Sequence, residues 1–204
     1  MITLGRLFGR FAPASVFLDI GPGNGTALAA ASYMLPRPRL ACIEYNERTI
    51  ALFREKFGDI FVSQSAQNVF DAFGPEGIHF IYSAHCFEHF TIDELRQMLT
   101  CLRTMLAHNG VLALEVPQAS IDKLRKLPAT VPHLIFFSSR GLKALLKSCG
   151  FKVELCVETL GRSKAGNAYV QEQLRETIQG SRRRSRDTSA PSTSVTGSAA
   201  GRGW

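Results

Sequence analysis

The sequence predicts an α/β fold in which a mostly parallel sheet is covered by helices on both faces. Short apolar runs alternate along the chain with longer segments whose apolar residues recur at helical spacing. The first run ends in a glycine cluster that opens directly into a helical segment. With 204 residues, 45% of them apolar, the chain has the size and composition of one globular domain.

Residues 15–20 (SVFLDI) form the first strand, and residues 25–34 read as a helix stopped by Pro36. Residues 40–44 (LACIE) make a second buried strand. Asn46 is placed to cap the next helix, on which Ile50, Phe53 and Phe57 share a face before Gly58 ends it. Strands follow at 60–64 and 77–83 (GIHFIYS). Thr91 and Glu94 spell a capping box ahead of Leu95, Met98, Leu99, Leu102 and Leu106 on one face. Asn109 and Gly110 are expected to stop that helix before a fifth strand, 111–116 (VLALEV). Residues 117–137 show no clear periodicity, and loops of this length in compact domains are often functional. Ser138 or Ser139 caps a last helix carrying Leu142, Leu145 and Leu146, closed by Gly150. Residues 151–156 and 167–171 complete seven strands. In such sheets ligands sit beyond the carboxyl ends of the strands, so chemistry is sought just after each one.

The net charge is +7, and residues 181–204 hold five arginines against one acid, Asp187. The rest of that stretch is mostly Ser, Thr, Gly, Ala and Pro, too polar to offset the entropy of ordering. It is read as a disordered, solubilising tail (180–204), with nucleic-acid contact a weaker alternative. A short lead (1–14) precedes the domain at 15–179. Arg6 and Arg10 faintly suggest a transit peptide, but there is no signal-type apolar run. No segment is long and apolar enough to span a bilayer. The five cysteines are odd in number and contain no C-x-x-C pair, which excludes a disulfide framework or zinc ribbon and points to the reducing cytoplasm.

The glycine cluster reads Asp19-Ile20-Gly21-Pro22-Gly23-Asn24-Gly25-Thr26. A dinucleotide site of the G-x-G-x-x-G type would need glycine where Thr26 stands, which disfavours a nicotinamide oxidoreductase. Glu44 closes the second strand, placed to accept hydrogen bonds from both ribose hydroxyls. This D-x-G-x-G-x-G turn with an acid after strand two resembles the class I S-adenosylmethionine-dependent methyltransferases. Three later segments match as well. Residues 83–89 (SAHCFEH) resemble "s-x-x-L-E-H". Residues 106–111 resemble "L-k-P-G-G-v", with His108 and Asn109 replacing Pro and Gly. His133 to Ser138 followed by Cys149-Gly150-Phe151 resembles "H-x-x-x-F-S … a-G-F". That order is similar to the ubiquinone-biosynthesis-like branch, methyltransferase types 11, 12 and 23.

The resemblance implies a Rossmann-like three-layer sandwich with seven strands, the last antiparallel, and S-adenosyl-L-methionine as cofactor. Asp19 would orient the turn near the methionine amino group, and Gly21, Gly23 and Gly25 would let the backbone pass close to the cofactor. Glu44 would hold the ribose, Tyr45 would lie against the adenine, and the Ser83 backbone would meet the methionine. Relatives usually carry an acid after strand three to meet the adenine amine. Here the stretch is Ser65-Ala66-Gln67, leaving that contact to Ser65 or Gln67.

Residues 85–89 also spell H-x-x-E-H, an inverted zinc-peptidase pattern, but they follow a strand rather than sitting on one helix. Relatives acting on quinone or small-RNA hydroxyls resemble E-x-x-E-H here, with a distant His, and hold a divalent metal. The corresponding residues are Glu88, His89 and His133, with His85 in the first place. The alternatives are acid–base or orienting roles for Glu88, His89 and His133, or a purely structural role. The expected activity is methyl transfer to a hydroxyl, amine or carbon of a small or modest-sized acceptor. A partner protein could complete the pocket, and a non-catalytic cofactor-binding subunit is the rival reading.

Overall fold

The computed structural model describes residues 11–118 and 133–158. Five strands form one parallel sheet: β1 (Val16–Ile20), β2 (Arg39–Ile43), β3 (Ile60–Ser63), β4 (Ile78–Ala84) and β5 (Leu106–Glu115). Their order is β3-β2-β1-β4-β5, so the topology reverses between β1 and β4. The helices are α1 (Thr26–Met34), α2 (Glu47–Phe57), α3 (Ala66–Phe73), α4 (Ile92–Met105) and α5 (Ser139–Ser148). A short 3-10 turn, Phe87–His89, lies between β4 and α4.

Alternation along β1 builds the three layers. Val16, Leu18 and Ile20 pack on one face with Val69 of α3, Leu95, Leu99 and Leu102 of α4, and Leu145 of α5. Phe17 points to the opposite face, with Leu28 and Ala31 of α1 and Phe53 of α2. Phe17 stacks on Phe80 of β4 at 5.4 Å between ring centroids. Asp19 continues the Phe17 face, a buried acid in an otherwise apolar row.

The caps read from sequence form as expected. The Asn46 side chain accepts the Arg48 and Thr49 amides, Thr91 and Glu94 close a reciprocal capping box, and Ser138 accepts the Gly141 amide.

Two boundaries differ from the sequence reading. Asn109 and Gly110 do not end α4, which stops at Met105. Leu106 is buried and pairs with Ile78, and the register then slips so that Val111 faces Phe80. Burying Leu106 beneath the sheet pulls the chain out of the helix early, and His108–Gly110 bulge from the ladder. The second difference is at 151–156, which shows no sheet pairing among the described residues. The expected seventh strand at 167–171 and the tail lie outside the described residues.

Candidate functional site

The strands end at a cavity of about 280 Å³ beside the β1/β4 reversal. Ile20 and Gly21 come to it from β1, Ile43, Glu44 and Tyr45 from β2, and Ala66 from the start of α3. Cys86 and Phe90, which bracket the 3-10 turn, and Glu94, Gln97 and Met98 of α4 complete the wall.

The glycine turn is built for close approach. Gly21 has φ +67°, and a Cβ there would meet Cys86 Sγ at 3.0 Å. Its amide donates to the Ile43 carbonyl at 3.0 Å, tying the turn to β2. Gly25 has φ +74°, and a Cβ there would strike the Phe53 ring at 2.7 Å. Among Gly21, Gly23 and Gly25, only Gly21 lines the cavity itself.

Glu44 accepts the Tyr45 and Asn46 amides at 2.7 and 2.8 Å through the single oxygen Oε1. That fixes the carboxylate at the rim and leaves Oε2 as an acceptor for a ligand. Tyr45 is 63% exposed, a flat apolar face at the mouth of the cavity. Ser65 and Gln67 are engaged elsewhere: Ser65 caps α3, and Gln67 Nε2 donates to Asp71 at 2.9 Å. Ala66 is the member of that triplet that reaches the cavity. The Ser83 hydroxyl donates to the Ile20 carbonyl at 2.9 Å, bracing the β1/β4 junction from within. Asp19 is 1% exposed, and its Oδ2 has no hydrogen-bond partner. Burial raises its carboxyl to about 7.

The cradle fits the cofactor that the sequence suggested. Gly21, where a Cβ would crowd Cys86, the Glu44 carboxylate and the exposed Tyr45 ring line one cavity, a set of groups suited to an adenosyl amino acid.

The second half of the site is acidic and imidazole-rich. Glu88 in the 3-10 turn is fully buried, with neither carboxylate oxygen hydrogen-bonded. Its backbone carbonyl accepts the Leu134 and Ile135 amides at 2.7 and 3.2 Å, which docks the segment carrying His133. His133 Nε2 then lies 3.9 Å from Glu88 Oε1, and its Nδ1 is buried without a partner. The His89 and His133 rings meet edge to face at 5.0 Å. One ligating atom from each of Glu88, His89 and His133 lies within 4.8 Å of the others. His85 approaches Glu88 Oε1 at 3.5 Å from the solvent side but stands outside that cluster.

Sequence reasoning missed Cys86, Phe90 and the α4 wall. Met98 was legible only as a member of the buried helix face, and Glu94 only as a cap.

The comparisons with known proteins agree with this geometry. The family described as a methyltransferase domain matches residues 3–155. No curated protein matches the chain. A S-adenosylmethionine-dependent methyltransferase from Archaeoglobus fulgidus superposes with a TM-score of 0.60 at 18% identity, over 86% of this chain and 85% of that one. The Burkholderia thailandensis 1,6-didemethyltoxoflavin-N1-methyltransferase, solved with 1,6-didemethyltoxoflavin and S-adenosylhomocysteine bound, gives 0.62 at 17% identity, over 81% and 72%. A Haloferax volcanii methyltransferase in complex with the Trm112 activator gives 0.57 at 13%, over 72% and 67%. The chain belongs to the methyltransferase-domain family, on the class I fold of the S-adenosylmethionine-dependent methyltransferases.

Proposed function

We propose that this methyltransferase acts on a hydroxyl, amine or carbon of a small acceptor held against Glu88, His89 and His133. The docking of His133 onto the Glu88 turn carries this reading: it gathers groups able to hold a proton beside a cavity wall formed by Cys86 and Phe90. S-adenosylmethionine supplies a sulfonium methyl group that an acceptor lone pair takes in line, leaving S-adenosylhomocysteine. Asp19, Gly21, Glu44 and Tyr45 bind and orient that cofactor. His89 or His133 accepts the proton the acceptor loses, and Glu88 orients the imidazole and stabilises its charge. A panel of hydroxyl and amine acceptors, read by S-adenosylhomocysteine formation, tests this. His133→Ala should lower kcat by about 100-fold with cofactor affinity retained, on the scale of a lost general base. Cofactor binding without turnover on any acceptor would mark a binding subunit instead.

A second reading is favoured by the two orphaned oxygens of buried Glu88. Glu88, His89 and His133 offer one carboxylate and two imidazoles, a donor set suited to a Zn²⁺-like cation. Such an ion would supply Lewis acidity to an acceptor hydroxyl, as on a quinone or an RNA ribose. Metal analysis of the purified chain, and its loss in Glu88→Gln, decides between the two.

Residues 15–179 are taken as the catalytic unit, with 1–14 a lead and 180–204 a basic tail. A partner that completes the acceptor wall is the role suggested by the Haloferax volcanii complex. All five cysteines are unpaired, which supports a reducing, cytoplasmic setting. No helix among the described residues is long and apolar enough to cross a membrane.

A further inference from the structure

We propose that Glu94 of α4 reads the base of the bound nucleoside, accepting a hydrogen bond from a 6-amino group and so selecting adenosyl over 6-oxopurine ligands. The inference rests on the reading of the cavity as the cofactor site, with the ribose on Glu44.

A ligand with its amino-acid end at the β1 turn and its ribose at the end of β2 directs its base towards β3. There α3 offers the base edge little. Ser65 is spent on the amides of Gln67 and Asn68, the Gln67 side chain on Asp71, and Ala66 brings only a methyl group. The polar groups come instead from α4, which packs against α3 and presents Glu94 and Gln97, one turn apart, to the same cavity.

The capping box fixes what Glu94 shows to a ligand. Its Oε2 accepts both the Thr91 amide, at 2.7 Å, and the Thr91 hydroxyl, at 2.8 Å. Those bonds hold the carboxyl below the usual carboxylate range, so it is ionised at neutral pH. Oε1 has no partner among the described residues and can only accept. Adenine presents a donor at position 6, whereas a 6-oxopurine sets an acceptor there, lone pair against lone pair. The Gln97 carboxamide can turn its oxygen or its nitrogen to the base and is blind to that difference. Discrimination therefore falls to Glu94.

Calorimetric titration of the full chain with S-adenosylhomocysteine and S-inosylhomocysteine tests this. The parent should prefer the adenosyl ligand by at least about tenfold, the scale of a hydrogen bond to a charged group. Glu94→Gln retains the capping box, because the Thr91 amide demands the carboxamide oxygen. Its NH2 then takes the place of Oε1, a donor facing a donor. The preference should fall to near unity or reverse, with the melting temperature kept. Equal affinity of the parent for both ligands would overturn the inference and leave the cofactor site standing. So would an undiminished preference in Glu94→Gln, or a preference erased by Gln67→Ala instead. Failure of S-adenosylhomocysteine to bind the parent would overturn the cofactor reading and this inference with it.

Discussion

Cys86 Sγ lies 3.0 Å from the point where a Cβ on Gly21 would stand, so the segment after strand four closes over the glycine turn of strand one. Gly21→Ala meets both a left-handed backbone, φ +67°, and this contact at 3.0 Å. S-adenosylhomocysteine affinity should fall at least about tenfold, a loss of about 1.4 kcal/mol. Adding Cys86→Ala should recover only part of it, because the backbone strain remains. Full recovery in the double variant, measured by calorimetry, would assign the whole effect to sterics.

Glu44 serves two masters, since Oε1 holds the Tyr45 and Asn46 amides. Glu44→Ala should weaken cofactor binding by about 1–3 kcal/mol through lost charge-assisted hydrogen bonds. Glu44→Gln keeps an acceptor for the two amides and should retain the melting temperature while still losing affinity. Equal affinity in all three proteins would remove Glu44 from the ribose.

Asp19 also sets a pH dependence of stability. Its carboxyl is raised to about 7 when folded, against 3.8 for the free group, so ionising it in the native state costs stability. The cost is fully present above pH 7 and is relieved as pH falls from 7 towards 4. Asp19→Asn should therefore be more stable than the parent at pH 8, by up to about 4 kcal/mol, with the gap shrinking on acidification. Urea unfolding at pH 5 and pH 8, without cofactor, measures this. A gap that widens in acid would reverse the assignment.

Thr91 closes the capping box at the start of α4, the helix that supplies Glu94, Gln97 and Met98 to the cavity. Thr91→Ala should cost about 1 kcal/mol of stability. It should also weaken cofactor binding modestly, because that wall is anchored at its first turn. Unchanged urea midpoints would show the cap to be redundant.

Local features were legible from the sequence. Asn46, Thr91 and Ser138 were readable as caps because capping depends on neighbours within one turn. The strand ends and the glycine turn followed from apolar runs and punctuation. The end of α4 was not legible, because Leu106 leaves the helix to pair with Ile78, a tertiary contact that overrides the Asn-Gly stop signal. Part of the cavity lining was readable in Gly21, Glu44 and Tyr45, each close to a strand end. Cys86 and Phe90 were not, since their place on the wall depends on how the 3-10 turn folds back over β1. His133 was readable as a ligand candidate, whereas its tether, the Glu88 carbonyl, is a backbone group that no residue type announces.

That tether has an architectural consequence. The chain is pinned on one side of 119–132 by the bridge between Gln118 and Phe137, and on the other by the amides of Leu134 and Ile135 on Glu88. Both anchors are main-chain contacts, indifferent to side-chain identity. His133 thus keeps its station beside Glu88 through main-chain groups that a change of side chain at Leu134 or Ile135, proline apart, leaves in place.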